Sequence, residues 1–368
     1  MRLNLPWATA LLLGVALVGP QVRGAEPSAG LKKGNPDLKS AGPLAFGPEG
    51  ILFVGDTRGA ALFAIDTGDR GPAGKPEKVQ VEKINEKVAA LLGTTPQQIL
   101  INDMVVNPAS GQVYLSVARG RGPDAAPVIL RVGRDGKLGE LALENVPFAK
   151  ADIPNAPAPG AAAKGQSLRN ESITDLAYVD GRVFLAGLSN EEFSSRLLAI
   201  PFPFADSADG AAIEIYHGAH GRFETKSPVR TFASYTIEGK PYLMAAYTCT
   251  PLVKVAVADL KAGAHVKGTT VAELGNRNKP LDMVVYRKDG KDFILLANSA
   301  RGVMKIATEG VGSAPAITAP VSGTKGLGYE TIETLKGVVQ LDQLDKSRAV
   351  VLVQAPDGAQ NLETIDLP

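Results

Sequence analysis

One small motif recurs along the whole chain. A short apolar run meets a tight turn, and a second apolar run follows. The turns are Gly47-Pro48-Glu49-Gly50, Asn107-Pro108-Ala109-Ser110-Gly111, Val179-Asp180-Gly181, Ile237-Glu238-Gly239, Lys288-Asp289-Gly290 and Leu344-Asp345-Lys346-Ser347. Asp-Gly, Glu-Gly and Asn-Pro supply the positive or preset φ that a hairpin turn needs. They join Leu44–Phe46 to Ile51–Val54, Met104–Val106 to Val113–Val117, Ile173–Val179 to Val183–Ala186, Thr231–Ile237 to Tyr242–Ala246, Met283–Tyr286 to Phe293–Ala297 and Val338–Leu341 to Ala349–Val353.

A third apolar run follows each pair, at Ala61–Ile65, Val128–Val132, Leu197–Ile200, Leu252–Val257, Val303–Ile306 and Leu362–Leu367. Five units leave room for a fourth strand, at Lys78–Ile84, Leu138–Asn145, Ala211–Tyr216, Val266–Leu274 and Pro315–Val321. The sixth unit reaches Pro368 without one. Consecutive four-stranded meanders predict an all-β fold, a β-propeller of six four-stranded blades, with seven as the alternative. The segment Ala29–Ser40 is expected to supply the missing outer strand and so remove an exposed edge. Ile84, Val88, Leu91 and Leu92 predict one short helix over Lys83–Leu92.

Charge and composition narrow the function. The 368 residues carry 39 Lys+Arg against 38 Asp+Glu, which argues against nucleic-acid and polybasic membrane-surface partners. A hydrophobic share of 45% is enough for a substantial core. Arg2, the apolar run Ala8–Val18, and Val22 and Gly24 before Ala25 read as a cleaved export signal over residues 1–24. A segment 25–43 and a propeller domain 44–368 follow, with a periplasmic or secreted location and no transmembrane segment in the mature chain. The lone Cys249 excludes an internal disulfide, and the only Trp, Trp7, falls in the leader. No phosphate-cradling glycine loop, serine elbow, HExxH or EF-hand loop is present, so no nucleotide cofactor is expected.

Gly55-Asp56-Thr57-Arg58-Gly59 and Ala297-Asn298-Ser299-Ala300-Arg301-Gly302 each precede an apolar third strand. In this the chain resembles the NHL, lactonase and YVTN-type propellers of exported bacterial proteins, a likeness that speaks to fold more than to activity.

In a propeller the first hairpin turn of every blade lies on one face, and the other loops gather on the opposite face around the channel mouth. The plain Asp-Gly turns take the first face. The second carries Arg58, Asn102, Asn170, Glu171, His217, His220, Cys249, Arg277, Asn278, Asn298 and Arg301, which makes it the functional face. Asp103, Asp175 and Asp282 begin innermost strands at matching places. With Asn102 and Glu171, Asp103 and Asp282 could hold Ca²⁺, or the repeated carboxylates could bond backbone N–H groups of the neighbouring blade. His217 and His220 lie in a glycine loop; with Cys249 they would suit copper or zinc, or they could merely bond loop carbonyls. The resemblance to paraoxonase-like propellers implies instead a histidine base beside Ca²⁺ in lactone or ester hydrolysis. Analogy with galactose-oxidase-like propellers would pair Cys249 with Tyr235, Tyr247 or Tyr329 next to copper. His265 is expected on the plain face. Arg58, Arg277 and Arg301, with Asn170, Asn278 and Asn298, could receive a small ligand. The leading expectation is therefore a ligand- or metal-binding exported propeller. A metal-dependent hydrolase or oxidase and a protein-binding scaffold are its alternatives.

Overall fold

The computed structural model describes residues 30–71, 78–163, 165–205, 209–249 and 251–368. The expected leader at 1–24 lies outside them. Six antiparallel sheets stand radially around a common axis, the arrangement of a six-bladed β-propeller. From inside to outside, the first sheet runs Leu44–Phe46, Ile51–Asp56, Ala61–Asp66, Val146–Asp152 and Lys32–Gly34. The second runs Ile99–Val106, Val113–Arg119, Ala126–Val132 and Leu138–Glu140. The third has Asp175–Val179, Arg182–Leu188, Ser195–Pro201 and Asp209–His217; the fourth has Val229–Ile237, Lys240–Tyr247, Pro251–Ala256 and Thr269–Leu274. The fifth has Pro280–Lys288, Lys291–Asn298, Gly302–Ala307 and Glu330–Thr331, and the sixth Val338–Gln343, Arg348–Gln354, Gln360–Asp366 and Gln80–Val81. A helix spans Ile84–Leu91, within the predicted range. Among the described residues no helix is long and apolar enough to cross a membrane.

The turn chemistry explains the hairpins. Asp180, Glu238 and Asp289 have φ of 47°, 50° and 50°, and the glycine after each is also left-handed. Two consecutive left-handed residues match the right-handed twist of the flanking strands. The second strand of each sheet is buried on both faces because a neighbouring sheet packs on either side, which is why it reads as an unbroken apolar run.

Sheets do not follow one another around the ring in chain order. Asp175 Oδ2 accepts the Phe232 N–H at 2.8 Å, joining the third sheet to the fourth. Asp282 Oδ2 takes the Leu341 N–H at 2.9 Å, joining the fifth to the sixth. Asp342 Oδ2 takes the Val106 N–H at 2.7 Å, so the second sheet follows the sixth. The inner strand of the first sheet lies between those of the second and third. Phe53 of the first sheet accordingly stacks on Tyr178 of the third at 5.5 Å between ring centroids. The circuit is third, fourth, fifth, sixth, second, first.

Two strand exchanges produce this order and correct the sequence reading. The ring is closed by a strand from the N-terminal part of the chain, but it is Gln80–Val81, pairing Leu362 with Val81, and not Ala29–Ser40. Lys32–Gly34 instead edges the first sheet, outside Val146–Asp152. Val146–Asp152 covers Ala61–Ile65, so the segment expected at Lys78–Ile84 is left to complete the sixth sheet. There Val81, Ile84 and Val88 pack into one cluster with Leu115, Val350 and Leu362. Pro315–Val321 forms no sheet strand; Ile317 and Val321 tie to Thr270 and Gly218 by single backbone hydrogen bonds, and Glu330–Thr331 takes the edge instead.

Candidate metal centre

The outer strand of the third sheet, Asp209–His217, runs on into a single helical turn at Gly218–His220. Gly221, at φ 64°, reverses the chain, and Arg222–Glu224 pairs back on the strand with Tyr216 opposite Phe223. This hairpin brings Glu224 under both imidazoles. His217 Nδ1 meets Glu224 Oε2 at 2.9 Å, and His220 Nδ1 meets Oε1 at 2.7 Å. The two rings lie 3.9 Å apart between centroids, inclined by 38°. Ser227 Oγ donates a further bond to Oε2 at 3.0 Å.

Burial alone would raise the Glu224 carboxyl, but the hydrogen bonds from His217 and His220, the nearby His217 charge and the Ser227 hydroxyl hold it well below the usual carboxylate range. With both Nδ1 atoms engaged by one carboxylate, each imidazole has its Nε2 left for another partner. His217 is 2% exposed, and its Nε2 is buried without one.

Cys249 comes from the fourth sheet, in the turn between Lys240–Tyr247 and Pro251–Ala256. It adopts φ 63°, unusual for a residue with a side chain, and its N–H donates to the Asn278 carbonyl at 2.8 Å. Asn278 is held in turn by the Asn298 amide at 2.9 Å. Cys249, His217 and His220 each offer a ligand atom within 4.8 Å of the other two. The convergence on which the copper or zinc alternative depended is present, across the joint between two sheets.

Glu273, from the outer strand of the fourth sheet, completes the surroundings. Its Oε1 accepts the Gly218 N–H at 2.5 Å and its Oε2 is buried without a partner. Burial raises its pKa, against the pull of that N–H and of the two histidines. A Cβ on Gly218 would stand 2.9 Å from Glu273 Oε1, so this close approach requires glycine.

The other expected residues fall elsewhere. Arg58, Asn102, Asn170 and Glu171 line a cavity of about 490 Å³ at the channel mouth. Neither histidine lines it, so the combination of a channel cation with a histidine base is not assembled. The Asn102 amide is spent on the Ala41 carbonyl at 2.8 Å, and Glu171 pairs with Arg230. Asp103, Asp175 and Asp282 each accept the N–H of the following residue and one from the next sheet. Asp342, missed from the sequence, does the same. Burial pushes Asp175 up to about 7 and Asp342 to about 6. It also raises Asp103 and Asp282 well above the ordinary value, and each is raised in addition by its fellow carboxylates.

Arg277, Asn278, Asn298 and Arg301 shape one loop cluster behind Cys249, with Arg301 Nη2 donating to the Asn276 carbonyl at 3.1 Å. Tyr235 bonds Thr308 and Asp292, far along its strand from the Cys249 turn. His265 lies 4.6 Å from the ring of Phe193, a residue of a functional-face loop, so its expected place on the plain face is corrected.

The sequence reading also missed Arg230 and Lys279. The inner strands are irregular between Ile101 and Asp103, Val229 and Thr231, Pro280 and Asp282, and Val338 and Gln340. The extra residues, Asn102, Arg230, Leu281 and Val339, all line the mouth. A bulge re-aims a side chain in this way, but Arg230 precedes Thr231 and Lys279 precedes Pro280, so no aspartate marked either residue in the sequence.

No protein-family model matches the chain, and no curated protein sequence matches it. Among solved structures it is similar to an oxidoreductase of Thermus thermophilus described as a glucose dehydrogenase, at 12% identity and a TM-score of 0.35, over 91% of this chain and 100% of that one. It is similar to a PQQ-bound aldose sugar dehydrogenase of Streptomyces coelicolor, at 11% identity and a TM-score of 0.35, over 91% and 96% of the two chains. An engineered GH43 glycoside hydrolase matches at 11% identity and a TM-score of 0.34, over 73% of this chain and 52% of that one.

Proposed function

We propose that this chain is an exported propeller that binds a soft transition-metal ion, zinc or copper, through His217, His220 and Cys249. The observation that carries the reading is the buried, unpartnered His217 Nε2 in a cluster whose two Nδ1 atoms share Glu224. A carboxylate on the far nitrogen of a histidine fixes its tautomer and orientation toward a metal. Two imidazoles and a thiolate suit zinc or copper and not Ca²⁺.

Each residue has a defined task. His217 and Cys249 bring donors from two sheets, so the ion would bridge the joint between them. His220, 44% exposed at its side chain, leaves the centre open to solvent on one side. Glu224 balances charge and holds both rings. The chemistry such an ion supplies with three protein ligands is Lewis acidity at a position left open.

The test is elemental analysis of protein purified without added metal, followed by Co²⁺ substitution. About one equivalent of zinc or copper, and a cobalt–thiolate absorption band lost in Cys249→Ser, is the expected result. Absence of zinc, copper and bound Co²⁺ in folded protein would refute the reading.

A further inference from the structure

A second site sits on the axis, away from the histidines. The mouth cavity is lined from all six sheets, and its charged residues are Arg58, Arg230, Lys279 and Glu171. Glu171 is committed to Arg230, whose Nε also donates to Thr248 Oγ1 at 3.1 Å. That leaves Lys279 and Arg58. Arg58 spends one Nη on the Ala125 carbonyl at 3.1 Å. No hydrogen-bond acceptor meets the Lys279 ammonium among the described residues, and Lys279 is exposed at the boundary of the mouth and a side pocket floored by Thr248. Partial desolvation of the side chain and the neighbouring Arg230 lower its pKa against the opposing pull of Glu171.

The neutral lining points to hydroxyl groups. Asn102, Asn170, Gln340, Thr57 and Thr174 line the same cavity, and their amides and hydroxyls are groups that bond ligand hydroxyls. No aromatic side chain lines the cavity among the described residues, so nothing there favours stacking of a flat ring.

We propose that the channel mouth binds a small hydroxyl-bearing oxyanion, a carboxylate or a phosphate ester, with Lys279 and Arg58 contacting the charge and the neutral polar lining meeting its hydroxyls. This site is independent of the metal centre and stands or falls without it.

Isothermal titration of the full chain at low salt, with gluconate, glycerol 1-phosphate and glucose as probes, tests the proposal. The expected result is binding of at least one anion with a Kd below about 1 mM and none of glucose. Binding of gluconate alone assigns the site to carboxylates, and of glycerol 1-phosphate alone to phosphate esters; both support it. Lys279→Gln and Arg58→Gln should each weaken that binding at least tenfold, by the loss of a charge-assisted contact, while thermal unfolding and metal content stay at wild-type values. The proposal is overturned if neither anion binds, if glucose binds as tightly, or if both variants bind like wild type.

Discussion

Asp103 and Leu44 join the second sheet to the first: the Asp103 carboxylate accepts the Leu44 N–H at 2.6 Å with one oxygen and the Met104 N–H at 2.8 Å with the other. The same two-oxygen clasp recurs at Asp175, Asp282 and Asp342. An amide has only one acceptor oxygen, so Asp282→Asn leaves either Met283 or Leu341 without a partner. Its expected cost is about 1–3 kcal/mol, read as a lower urea midpoint.

Burial of these carboxyls sets a pH dependence, against the opposing pull of the clasp N–H groups. Asp175 and Asp342 rise to about 7 and about 6 in the fold from an ordinary value near 3.8. The folded state thus holds their protons more tightly than the unfolded chain does. Their stabilisation is complete below the unfolded value and is lost as pH climbs through the folded one. The unfolding midpoint should fall between pH 4 and pH 7, and fall less in Asp175→Asn. A wild-type profile that rises over that interval contradicts this.

Glu224→Gln should weaken metal binding by about 10–100-fold while leaving the three donors in place. Competition against a chromophoric chelator measures it. An unchanged affinity would mean that Glu224 serves only the hairpin.

Asp69, 7% exposed, accepts bonds from Asn107, Ser110, Gln112 and Tyr114 of the second unit at 2.6–3.1 Å. Asp69→Ala strands several buried donors at once. We expect a loss of about 3 kcal/mol in chemical denaturation, with metal content unaffected.

Leu362→Ala should cost about 3 kcal/mol, because Leu362 is fully buried where Val81 seals the ring. A partner surface substitution such as Lys346→Ala should cost far less in the same assay.

The repeat was legible because Asp180-Gly181, Glu238-Gly239 and Asp289-Gly290 write their own backbone angles into the chain. The carboxylate series was legible too, since Asp103, Asp175 and Asp282 hold one register; Asp342 escaped because it lies two residues beyond Gln340, the position matching Asp282 after the bulge. Circuit order was hidden. A hairpin signal is local, whereas the order depends on Phe148 meeting Ile65 and Leu362 meeting Val81, pairings that no turn residue announces. The convergence of His217, His220 and Cys249 was one of the alternatives the sequence left open, but their holder Glu224 was not foreseen, because its role depends on Gly221 folding the strand back.

The pairing of residues 80–81 with residues 362–363 has a temporal side. A chain that leaves the ribosome N-terminus first makes its fastener well before the matching eyelet. Until residues 362–363 are made the circle must therefore stand ajar, with Val81 and the helix behind it waiting on their partner. Deleting even a few residues of Gln360–Asp366 should leave the protein open where the intact strand locks it.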